Sequence, residues 1–136
     1  MDELIAQAVR ERAGNRCEYC LLPTAHTDLR FEVEHVVARQ HGGTGAIGNL
    51  ALACLRCNKH KGPNLTGLDR AGGRPRIVRL FHPRRHQWRY HFALDGPRLV
   101  GRTAIGRVTV QVLAMNDPLA VLLRQELIEE GLYPPA

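Results

Sequence analysis

No run of apolar residues approaches the roughly 18 that a membrane helix requires, so a helical membrane span is excluded. The opening stretch, MDELIAQAVRERAG, is acidic and has no long apolar segment. It is not expected to act as a secretory signal, and the cytoplasm is the expected compartment. Internal repeats and low-complexity tracts are absent as well. With 44% apolar and 24% charged residues, a wholly disordered or collagen-like chain is excluded. The length, 136 residues, gives room for one ordinary core and is too short for two full domains with a linker. Acidic residues are scarce in one region above all: positions 70–107 hold Asp95 alone against ten arginines. The whole chain carries 19 Lys plus Arg against 13 Asp plus Glu, a net charge of +6. A cationic stretch of this density points to a polyanion, most often nucleic acid. The alternative is an arginine-rich surface kept for solubility.

Cysteine is sparse too, but its four copies are placed in pairs: Cys17-x-x-Cys20 and Cys54-x-x-Cys57. A cytoplasmic chain does not rely on disulfides. A redox C-x-x-C would be single and set in a βαβ pattern, which is lacking. Four thiolates in two knuckles supply what a tetrahedral Zn²⁺ site requires, and an iron–sulfur cluster takes the same number. Structural zinc is the expectation. A closed four-cysteine site has no open position, so this ion holds the fold and does no catalysis. The gap between the knuckles exceeds the 15–20 residues of the commonest zinc patterns, so a folded insert must separate them.

Asp2 is placed to cap a helix whose apolar positions Leu4, Ile5, Ala8 and Val9 share a face, with Gly14 as its stop. Residues 31–37 alternate: Phe31, Val33 and His35 on one face, Glu32 and Glu34 on the other. That predicts a strand. Residues 38–48, with four glycines, are a loop; Leu50 to Ala53 is a second strand; the second knuckle opens a short helix stopped by Gly62 and Pro63. The stretch GLDRAGGRP then reads as a link, and residues 77–80 as a short strand. Residues 86–94 and 98–102 read as a hairpin around Asp95-Gly96. Alternation would set Trp88, Tyr90 and Phe92 on one strand face, more readily as core than as a base-stacking platform. Thr103 and Asp117-Pro118 each open a helix.

The insert runs Glu34-His35, then Gly42-Gly43, Asn49-Leu50, and Cys54-x-x-Cys57-Asn58 followed by Lys61-Gly62. Over about residues 10–64 this order of motifs resembles the HNH nucleases. The expected fold is therefore α+β: a zinc-stapled ββα-metal (His-Me finger) core over residues 1–68. A basic hairpin and helices over 69–136 would pack on the same domain. The resemblance implies an endonuclease in which His35 is the general base, Asn49 steadies the loop and orients that histidine, and Asn58 binds a catalytic metal. Products would carry a 5′-phosphate and a 3′-hydroxyl. Ala38 stands where relatives often carry Pro, and Gly48 where an acid often precedes the Asn.

The chemistry can be argued beside the resemblance. Phosphodiester hydrolysis needs a base for the attacking water and a cation for the charge on phosphate and leaving oxygen. A histidine titrates near neutrality and suits the first task. Glu34 and Asn58 offer oxygen ligands for a hard ion, Mg²⁺ or Mn²⁺. Neighbours on an ideal strand face opposite ways, so Glu34 and His35 reach one ion only if the strand distorts. His60 is an alternative to Asn58, but it lies about 200° around the helix from it. Arg39, Lys59, Lys61, Arg84 and Arg85 are the candidate phosphate contacts, and DNA is the expected partner. An RNA-directed nuclease, or a zinc-stabilised nucleic-acid-binding module without catalysis, are the other readings.

Overall fold

The protein is described by a computed structural model covering residues 2–136. Helix α1 (Glu3–Ala13) starts where Asp2 accepts a hydrogen bond from the Leu4 N–H, and it ends at Gly14 in the left-handed region, φ 68°. Its buried stripe is Ala6, Val9 and Ala13, while Leu4 is 76% exposed, so the apolar face lies one position round from the expected one. Small residues let α1 lie close on the hairpin beneath it. That hairpin pairs β1 (Phe31–His35) with β2 (Leu50–Cys54), Phe31 opposite Cys54 and His35 opposite Leu50. Every residue of β2 is buried. Val9, Ala13, Leu50 and Leu52 pack with Phe31 and Val33 on one side of the hairpin. Helix α2 (Leu55–Lys61) packs against the same two strands, and its C-terminal lysine is buried beside Glu34.

The expected link is not a link. Residues 66–79 form a second hairpin, β3 (Thr66–Asp69) with β4 (Arg76–Arg79), so the division drawn at 68/69 falls inside a strand. The next segment also differs from its reading. Residues 88–91 make a helical turn, α3 (Trp88–His91), and the strand β5 (Phe92–Asp95) begins only after it. Trp88 and Phe92 stack at a centroid distance of 5.1 Å because they are one turn apart, whereas Tyr90 points outward, 69% exposed. Strand β6 (Arg98–Gly101) completes the hairpin around Asp95-Gly96. Helices α4 (Ala104–Val112, capped by Thr103) and α5 (Pro118–Glu129, capped by Asp117) follow as expected.

One apolar cluster joins the two halves. It holds the four cysteines, Tyr19 and Ala53 together with Phe81, Phe92, Leu99, Val108, Leu113 and Leu127. Among the described residues, no helix is long and apolar enough to cross a membrane.

Candidate metal centre and the groove beside it

The sulfurs of Cys17, Cys20, Cys54 and Cys57 all lie within 4.8 Å of one another, and all four residues are buried. Zn–S bonds of about 2.3 Å in a tetrahedron separate the sulfurs by about 3.8 Å. Cys20 Sγ and Cys54 Sγ are 3.8 Å apart. Within each knuckle the N–H of the second cysteine turns to the sulfur of the first, Cys20 to Cys17 at 3.5 Å and Cys57 to Cys54 at 3.4 Å. Burial pushes the Cys17 thiol up, contacts with its fellow cysteines push Cys57 up, and the same contacts hold Cys54 low. Thiols this crowded and this dry ionise together only around a cation. The four cysteines fit a structural zinc.

The knuckle is tied to everything around it. Tyr133 donates its hydroxyl to the Cys20 carbonyl at 2.7 Å, and the Trp88 indole donates to the Tyr19 carbonyl at 2.8 Å. The Glu18 carboxylate accepts from the Leu52 N–H at 2.8 Å and pairs with Arg84. Tyr19 donates its hydroxyl to Glu34 on β1. The zinc site therefore sets the position of the strand that carries His35.

An open groove beside β1 is lined by Glu32, Glu34, His35, Ala38, Asn58 and Lys59. His35 and Asn58 are both half-buried there. The Nε2 atom of His35 is buried and has no hydrogen-bond partner among the described residues. Asn49 locks the glycine-rich loop to the end of β1: its Oδ1 accepts from the Val37 N–H at 2.9 Å, and its Nδ2 donates to the carbonyls of Val37 at 3.0 Å and Thr44 at 2.8 Å. Gly43 closes the same loop, since a Cβ there would lie 1.7 Å from the Val37 carbonyl oxygen. Only glycine lets the backbone approach so near. From α1, Arg12 donates to the carbonyls of Ile47 at 2.9 Å and Leu50 at 2.6 Å, on either side of Asn49.

Three expected roles are corrected. Glu34 is not a free metal ligand: it is buried, one carboxylate oxygen accepts from Tyr19, and the other from Lys61 at 3.2 Å. Burial raises its pKa, and the Lys61 ammonium opposes that rise. Lys61 is not a phosphate contact. It is 2% exposed and also donates to the Val36 carbonyl at 2.8 Å. Arg84 is half-buried and paired with Glu18, and burial lowers its pKa to about 10. Arg39, Lys59 and Arg85 are exposed. Two useful residues escaped the sequence reading. Glu32 lines the groove, and the alternation that grouped it with Glu34 was its signal. Arg12 had none, because its partners lie 35 and 38 positions away.

Lys61→Ala should lower stability by about 3–5 kcal/mol, because the Glu34 carboxylate would stay buried without its counter-charge. Replacing both, with Glu34→Gln and Lys61→Met, should recover most of that loss. Urea unfolding of the zinc-loaded variants measures it. A loss under about 1 kcal/mol, typical of an exposed pair, would contradict the buried-pair role.

Residues 17–64 match the HNH endonuclease family, from the first knuckle through α2. The motif resemblance read from the sequence is thereby borne out over that segment. No curated protein and no solved structure matches the chain.

Proposed function

We propose that this chain, with its HNH segment as premise, is a metal-dependent endonuclease that hydrolyses DNA phosphodiester bonds with His35 as general base. The observation that supports the reading is that His35 and Asn58 line one open groove inside the segment that matches the HNH family. Accepting the proton of an attacking water at that groove is the role assigned to His35. The water oxygen attacks phosphorus, its proton passes to the imidazole, and the 3′ oxygen leaves.

Asn49 keeps the loop from rotating away from the strand end that bears the base. Asn58 offers an oxygen at the groove that would suit Mg²⁺ or Mn²⁺, and Glu32, whose carboxylate is paired with Arg30 at 2.9 Å, lines the same groove. Such an ion, when bound, neutralises charge on the phosphate and the departing oxygen. Glu34 then serves from behind, holding α2 to β1 through Lys61. Arg39, Lys59 and Arg85 are free to meet backbone phosphates.

The test separates the two metals. Asn58→Ala should retain one zinc per chain and wild-type thermal stability, since Asn58 is no part of the cysteine cluster. Its divalent-metal-dependent cleavage should fall by roughly 10²-fold or more, because a Lewis-acid ion is worth several kcal/mol. Zinc analysis and single-turnover rates read both. Undiminished cleavage would remove Asn58 from the mechanism.

A further inference from the structure

We propose that the β3–β4 ribbon enters the major groove of duplex DNA and reads base edges there. The proposal rests on the nuclease reading and adds to it a recognition surface. In the register of the ribbon, Thr66 lies opposite Arg79 and Leu68 opposite Ile77. Alternation puts these four side chains on one face. That face is open: Leu68 is 41% and Ile77 76% exposed, and Thr66 and Arg79 are exposed beside them.

The other face is fixed to the body of the protein. Gly67 sits so close to α4 that a Cβ would lie 2.8 Å from Val112 Cγ2. The buried carboxylate of Asp69 accepts from Arg107 Nε at 3.1 Å and Nη2 at 3.0 Å. The outer face is thus held in one orientation and not free to turn inward.

Charge identifies the partner. Arg70 and Arg74 stand exposed in the turn, and Arg76 and Arg79 on the strands. The single acid of residues 66–79 is Asp69, already paired with Arg107 and Arg76. A cationic rim around a small apolar strip complements a polyanion that also offers apolar contacts. The major groove of DNA does so. It is about 12 Å wide and admits a two-stranded ribbon. Its floor offers guanine acceptors that match a guanidinium and thymine methyls that match aliphatic side chains. The deep, narrow major groove of an RNA duplex admits neither.

The ribbon is also within reach of the chemistry. Pro63 lines the His35 groove and Thr66 opens β3. Three residues span at most about 11 Å, a third of one DNA turn of about 34 Å. Val36 and Val37, just past His35, line one cavity with Thr66 and Arg79 at the base of the ribbon. One duplex can therefore meet both.

The experiment is selection from a random 30-bp DNA pool by the full chain carrying His35→Ala, which leaves the probe uncut. The parent should enrich a sequence preference. Adding Arg79→Ala should cut discrimination at one base pair by roughly 5- to 150-fold, the worth of one bidentate contact. Adding Leu68→Ser with Ile77→Ser should weaken preference at a neighbouring thymine. Arg70→Ala with Arg74→Ala should instead weaken binding to all sequences alike and lower the log–log salt slope by about 0.9 per lost contact. Unchanged selection in the Arg79 and Leu68/Ile77 variants, or no enrichment by the parent, would overturn the proposal. So would a parent that self-associates through this face, with Leu68→Ser and Ile77→Ser abolishing the association and leaving selection intact. If selection follows the ribbon but the wild-type chain cuts no DNA, the nuclease reading fails and the ribbon assignment stands.

Discussion

His35→Ala is expected to lower single-turnover cleavage of DNA by about 10²–10⁴-fold, the range of a positioned general base. Zinc content, thermal stability and DNA affinity should stay near wild type. The separation follows from where the side chain sits. His35 is the last residue of β1, half-buried at the groove, and its Nε2 makes no internal hydrogen bond that the fold would lose. The phosphate contacts assigned to Arg39, Lys59 and Arg85 lie on other residues and are untouched. Rates measured at saturating DNA isolate the chemical step from binding. A variant that cuts at the wild-type rate would contradict the assignment of the base.

Cys54→Ser is expected to unfold the core, with loss of zinc and of all activity. The magnitude decides this. Structural zinc contributes on the order of 10 kcal/mol in small metal-stapled units. A domain's whole stability is about 5–15 kcal/mol. Cys54 is in addition the junction of β2 and α2, and its sulfur accepts the Cys57 N–H that caps the helix. Losing it releases the helix that carries Asn58 and Lys61, and with Lys61 the partner of Glu34. Circular dichroism and zinc analysis of purified variants read the outcome. A folded Cys54→Ser chain that keeps its zinc would contradict the four-thiolate site.

How far the fold could be read depended on how local its causes are. Caps made by Asp2, Thr103 and Asp117, each within a few residues of the helix they open, were legible. So were the paired knuckles, whose spacing alone predicts convergent sulfurs, and Asn49, whose place before β2 matched the motif order. Glu34 and Lys61 were misread for the opposite reason. Their pairing joins positions 27 apart, and nothing in either neighbourhood says that α2 will bury its final lysine against β1. Arg84 likewise looked like one more surface arginine until Glu18, 66 positions away, was found to hold it. The β3–β4 hairpin was hidden by its own composition. Four-residue strands that show their apolar side chains to solvent and their glycine to α4 carry no alternation of the usual sense. The turn at Trp88–His91 interrupted a segment whose period-2 pattern had suggested a strand, because packing Trp88 on Phe92 requires a one-turn spacing.

The central claim is that a zinc-held groove bearing His35 hydrolyses DNA with a second, divalent metal. Its most direct measurement is the nicking of supercoiled plasmid by the zinc-loaded chain in Mg²⁺ or Mn²⁺, with excess chelator and His35→Ala as controls. The account predicts nicked circles with 5′-phosphate ends in either metal, and intact plasmid in both controls. A chain that holds its zinc and binds the plasmid but never nicks it, or one whose nicking persists undiminished in His35→Ala, would contradict the account.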